Sequence, residues 1–137
     1  MNEVVLGKKV SIERCIVQIR EYYHIDSGRP FHQDFLRQDA IAMNLQRMCE
    51  MCIDIANHWV MKAKLGLPRT SAESFELLKT AGLIEEPMCN QLKGMVGFRN
   101  ILVHAYTVID LSMMEDIIKH HLEEPLAFAD LALERVN

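Results

Sequence analysis

The sequence predicts an all-α fold: a five-helix antiparallel bundle with a long second helix. Three observations carry that prediction. Apolar residues recur at about 100° per residue in five segments, the period of an amphipathic helix. No segment alternates apolar and polar residues convincingly enough to read as a strand. The connections between the periodic segments are short, which favours antiparallel neighbours in a bundle.

The first helix is expected from about Glu3 to Tyr23, with Ile12, Cys15, Ile16, Ile19 and Tyr22 or Tyr23 on one face. It stops before Asp26-Ser27-Gly28-Arg29-Pro30, a cluster of turn formers. The second is expected from about Gln33 to Leu65, with Ile41, Leu45, Met48, Cys52, Ala56, Trp59 and Ala63 as its stripe. Gly66 and Pro68 end it. At 1.5 Å per residue it would be about 50 Å long, longer than a globule of this size is wide. Part of it is therefore expected to pack against a second copy of the chain.

Thr70-Ser71-Ala72-Glu73 reads as a capping box opening a third helix, which Gly82 closes. Pro87 suits the first turn of a fourth, where Glu85 and Glu86 favour the positive end of the helix dipole. Ser112-Met113-Met114-Glu115 is a second capping-box candidate and opens the fifth helix. Pro125 is expected to kink or interrupt that helix before Leu126–Val136.

A chain of 137 residues fits one domain spanning 1–137, with enough apolar residues for a real core. No apolar run approaches the roughly 20 residues that cross a bilayer. The first residues lack a basic stretch followed by an apolar one, so the expected location is cytoplasmic. A formal net charge of −4 argues against a general DNA-binding surface. Cys49 and Cys52 have C-x-x-C spacing, yet no second pair completes a zinc set, and both sit on or beside the apolar face of a helix. They read as small core residues, and neither a metal nor a cofactor is expected.

The fourth helix carries the anomaly. Met88, Leu92, Met95, Val96, Leu102 and Val103 share one face, and Arg99 falls in the middle of that stripe. An unpaired guanidinium among apolar side chains costs several kcal/mol or more. Arg99 must therefore meet a carboxylate or open onto a groove that receives an anion. His104 and Tyr106 follow closely, which concentrates a cation, an imidazole and a phenol in eight residues.

Positions 99 and 104 are about 140° apart on a continuous helix. They can serve one site if the helix ends near Val103 and turns His104 back, or if two copies of the segment face each other across a dimer axis. A break within residues 104–110 is expected, since Thr107, Val108 and Ile109 are poor helix formers and Asp110 can start the next element. Spacing alone also allows a plainer reading: a buried ion pair for Arg99, and His104 and Tyr106 as loop-closing residues. Arg47, Glu50, Asp54, Asn57 and His58 line the polar side of helix two, either as a solvated face or as a second wall of a cleft. In the second case Asp54 or Glu50 would orient Arg99 or His104, with Asn100 beside them.

Arg99-Asn100-Ile101-Leu102-Val103-His104-Ala105-Tyr106 fits R-x-x-x-x-H-x-Y, which resembles the signature of the HEPN superfamily and its HepT-like toxin branch. Leu45–His58 resembles the family's long second helix, and Leu92–Asn100 its approach to the motif. The resemblance covers about residues 10 to 125. It implies a metal-independent endoribonuclease toxin, homodimeric, with Arg99 and His104 catalytic. It also implies a nucleotidyltransferase antitoxin of the MNT type that transfers AMP to Tyr106. The alternative is a non-catalytic binding or regulatory subunit of a nucleotidyltransferase. The three intact motif residues favour the toxin.

Overall fold

The computed structural model describes residues 2–104 and 110–136, with the backbone alone for residues 103 and 104. The described residues form helices and no strand. The α-helices are α1 (Glu3–His24), α2 (Phe35–Lys62), α3 (Ser71–Thr80), α4 (Glu86–His104), α5 (Leu111–His120) and α6 (Glu123–Arg135), with a 3-10 turn at Phe31–Gln33 before α2. α2 is the central element, and α1, α3, α4 and α6 all pack on it. Its stripe of Ile41, Leu45, Met48, Ile55 and Ala56 is fully enclosed. Trp59 joins it against Phe128 of α6, whose ring in turn meets Phe75 of α3 edge-on at 5.5 Å. Each fully buried large side chain of this kind is worth about 1.5–3 kcal/mol in water-to-core transfer.

The start of α2 lies two residues later than expected. Asp34 is the N-cap: its carboxylate accepts the Arg37 backbone N–H at 3.1 Å. The Arg37 guanidinium then closes the connection from α1, donating to Asp34 and to the backbone carbonyls of Tyr22, Tyr23 and Arg29. Hydrogen bonds from Ser27 and then from Arg37 hold the Asp34 carboxyl down at a pKa of about 2. At its other end α2 stops at Lys62, three residues short of the expected Leu65. Lys64 takes the left-handed conformation (φ 57°), and the N–H groups of Lys64 and Leu65 fold back onto the carbonyls of Met61 and Val60. This is a Schellman closure with lysine where glycine is usual. Gly82 (φ 75°) closes α3 in the same way, as expected.

The described residues form six α-helices in place of the expected five. The single C-terminal helix divides at His121-Leu122, four residues upstream of Pro125. A proline lacks the N–H that would bond to the carbonyl four residues back, here that of His121, and its ring crowds that carbonyl. The break therefore falls before the proline, which sits in the first turn of α6. The cap of α5 is also corrected: Asp110, not Ser112, accepts the Met113 N–H at 3.2 Å. Thr70 caps α3 as expected, accepting from the Glu73 N–H at 3.1 Å. Cys49 and Cys52 are core residues, each 3% exposed. Burial pushes the Cys49 thiol up to about 12 and Cys52 well above its ordinary value, so neither is a ready thiolate.

Candidate functional site

α4 is fixed on two sides before it reaches Arg99. Glu76 of α3 takes Lys93 of α4 at 2.6 Å and Lys79 of its own helix at 3.1 Å. Hydrogen bonds from Lys93 and then Lys79 depress the Glu76 carboxyl to about 2. On the other side, Cys49 of α2 donates its S–H to the Met95 carbonyl at 3.6 Å. Of the stripe read from the sequence, Leu92, Met95 and Val96 are buried and Met88 and Leu102 half-buried against the core, while the Val103 side chain lies outside the described residues; Phe98, not part of that stripe, is buried as well.

Arg99 enters this stripe with only 17% of its side chain exposed. Such a guanidinium requires an anion, and α2 supplies one. Its Nη1 lies 3.1 Å from Glu50 Oε1, and its Nη2 donates to Ser71 Oγ at 3.4 Å. The Nε is enclosed and has no hydrogen-bond partner among the described residues. An unsatisfied buried donor costs about 1–3 kcal/mol. A guanidinium kept in place despite that cost makes Arg99 the first candidate for the site.

The other candidates divide. Glu50 reaches Arg99, whereas Asp54, one turn further along α2, pairs with Lys8 of α1 at 3.1 Å and does not orient Arg99. His58 contacts Asn2, and Asn57 accepts from Ser74 of α3, so these two tie helices together. Asn100 is exposed on α4. The His104 side chain and the whole of Tyr106 lie outside the described residues. The α4 backbone is helical through His104, which keeps positions 99 and 104 about 140° apart around one axis.

Ser71 is the partner that sequence reasoning misses. The Thr70-Ser71 doublet offers two hydroxyls at one helix start, and capping uses only the first. The spare hydroxyl is the available signal. Among the described residues, no group of three or more His, Cys, Asp or Glu side chains is placed to hold a metal ion. No described helix is long and apolar enough to cross a membrane.

Comparison with known proteins adds a direct result. Residues 12–131 match the family model for HepT-like ribonucleases. The chain is 44% identical over 131 residues to an mRNA nuclease HepT from Shewanella oneidensis, covering 96% of this chain and 97% of that protein. Among solved structures it resembles the tri-AMPylated Shewanella oneidensis HEPN toxin bound to its MNT antitoxin. That match has a TM-score of 0.90 and 43% identity, over 98% of this chain and 100% of that one. A toxin–antitoxin structure with AMP-PNP matches at a TM-score of 0.89 and 43% identity, over 96% of this chain and 99% of the other.

Proposed function

The chain belongs to the HepT-like ribonuclease family, and from that premise we propose that it is a metal-independent endoribonuclease toxin whose nucleotidyltransferase antitoxin silences it by transferring AMP to Tyr106. The observation that carries this reading is the place of Arg99. It is a nearly enclosed guanidinium on an apolar stripe, held by Glu50 and Ser71 at the head of the motif.

Cleavage of RNA without a metal requires three things of the protein. The ribose 2′-OH must lose its proton as its oxygen bonds to phosphorus. The departing 5′-oxygen must gain a proton as its bond to phosphorus breaks. The added negative charge on the phosphoryl oxygens must be balanced. Histidine moves protons near neutral pH, and arginine donates two parallel hydrogen bonds to a phosphate. In this account His104 does the first kind of work and Arg99 the second, leaving a 2′,3′-cyclic phosphate and a 5′-hydroxyl. Glu50 is a positioning residue that aims the guanidinium, and Asn100 borders the site. Asp54, committed to Lys8, instead anchors α1 to α2.

The divergence of positions 99 and 104 around a continuous helix supports a homodimer, in which each protomer completes the other's site. A single domain covers residues 1–137 and works in the cytoplasm, where RNA and antitoxin are both at hand. The test is growth of cells expressing the chain alone and together with the nucleotidyltransferase encoded beside it. Toxicity that the partner relieves is the expected result. A chain harmless by itself would return it to the binding-module reading.

A further inference from the structure

Between α1 and α2 lies a groove of about 220 Å³ that the site around Arg99 does not use. Its walls carry Ser11, Arg14, Cys15 and Gln18 from α1, and Asn44 and Arg47 from α2. Three observations set it apart. First, Arg14 and Arg47 are exposed, and neither makes a hydrogen bond or ion pair with a described residue. Arg20, Arg37 and Arg99 all have carboxylate partners. Among the described residues Arg29 and Arg69 also lack such partners, but they do not line this groove; in a chain of net charge −4, two unpaired guanidiniums on one groove are a local concentration of positive charge.

Second, the two charges converge. Burial raises the pKa of the Cys15 thiol at the groove floor, while Arg47 and then Arg14 pull it back down. Third, Asn44 is 4% exposed and its amide nitrogen donates to the Ala40 carbonyl. That leaves Asn44 Oδ1 enclosed without a donor. A native protein seldom leaves a buried acceptor unpaired unless something else supplies the hydrogen.

Two free cations beside an orphan acceptor suit a ligand with anionic oxygens and a neutral donor, as in a ribonucleotide chain with its phosphates, hydroxyls and base amines. The position agrees. Arg47 precedes Glu50 by one turn of α2, and Glu50 holds Arg99. We propose that this groove seats the RNA strand beyond the scissile phosphate, with Arg14 and Arg47 each taking a phosphodiester and Asn44, which lines the groove, turning its enclosed amide oxygen outward to accept a hydrogen from the seated strand. The proposal rests on the ribonuclease reading, and it answers how an acidic protein holds an acidic substrate.

The experiment is steady-state cleavage of a fluorophore-quencher single-stranded RNA by the purified full chain and by Arg14→Gln/Arg47→Gln. The double variant is expected to raise KM at least tenfold and leave kcat within twofold. The slope of log kcat/KM against log salt should become shallower by about 1.4, since each phosphate that the protein neutralises on a single strand adds about 0.7 to it. Arg29→Gln/Lys62→Gln, which removes two charges near the ends of α2, should leave KM within twofold. An unchanged KM and slope would overturn the proposal. So would a loss confined to kcat, or a changed sedimentation coefficient showing that the groove is an interface between copies. A parent chain that cleaves no RNA would instead refute the ribonuclease reading itself.

Discussion

Arg99 and Glu50 face each other from α4 and α2 at 3.1 Å, and they are an ion pair set into a stripe that is otherwise apolar. Such a pair is a poor way to hold two helices together. Replacing a buried pair with well-packed apolar residues is often neutral or stabilising, whereas removing one partner strands the other's charge.

The two ends of this pair should therefore behave differently. Arg99→Leu fills the stripe and leaves Glu50, which is 38% exposed, free to turn to solvent. Its unfolding free energy should stay within about 1 kcal/mol of the parent. Glu50→Ala leaves Arg99 without its anion and should cost about 1–3 kcal/mol. Urea denaturation of both variants checks the asymmetry. A large loss for Arg99→Leu would make the pair structural.

Lys64 closes α2 in a left-handed conformation that glycine adopts without strain. Lys64→Gly should raise stability by about 0.5–1 kcal/mol, less what the freer unfolded chain gives back. The urea midpoint should move upward with the slope unchanged.

His121 joins α5 to α6. Its imidazole lies 2.6 Å from Glu124 and 3.3 Å from Asp116. The hydrogen bond to Glu124 is the largest influence and raises its pKa above 6.5; burial, the next largest, opposes it, and the nearby charges of Glu124 and Asp116 add to the rise. A raised folded value means that the stabilisation is fully present below pH 6.5 and fades as pH rises through the folded pKa. The stability difference between parent and His121→Gln should accordingly be largest in mild acid and shrink above neutrality. Thermal melts from pH 5.5 to 8.5 provide the comparison, and a difference that grows with pH would reverse the assignment.

These features show where sequence reasoning reaches and where it stops. The stripes of α1, α2 and α4 are legible because apolar periodicity is a property of the helix itself. The Thr70 cap and the Gly82 stop are legible because they are local chemistry. The split at His121 falls away from its expected place because a proline acts through the carbonyl four residues before it. The Asp34 cap is the same kind of local contact and is open to the same reasoning; what periodicity does not show is the Arg37 side chain reaching back from Asp34 to the end of α1. The charge on the α4 stripe marks a candidate site, but periodicity does not show that Glu50 holds Arg99 while Asp54 turns to Lys8. That choice depends on how α1 and α4 flank α2.

Tyr106 should be the point of control. An AMP group there would place a phosphodiester near the substrate's own phosphate, and two such charges about 4 Å apart repel by roughly 1 kcal/mol in water and more in a drier cleft. Tyr106→Phe should keep most of the cleavage activity, gain no mass on co-expression with the nucleotidyltransferase, and remain toxic beside it. Full neutralisation of the parent with no change in intact mass would show control by binding alone.

The most direct measurement is RNA cleavage by the purified chain in excess chelator, comparing the parent with Arg99→Leu and His104→Ala, each first shown to be folded. The parent should remain active, and each variant should lose a hundredfold or more in kcat, the scale on which removing a charge-stabilising or proton-transferring group acts. A folded His104→Ala or Arg99→Leu protein that cleaves as fast as the parent would contradict these catalytic roles.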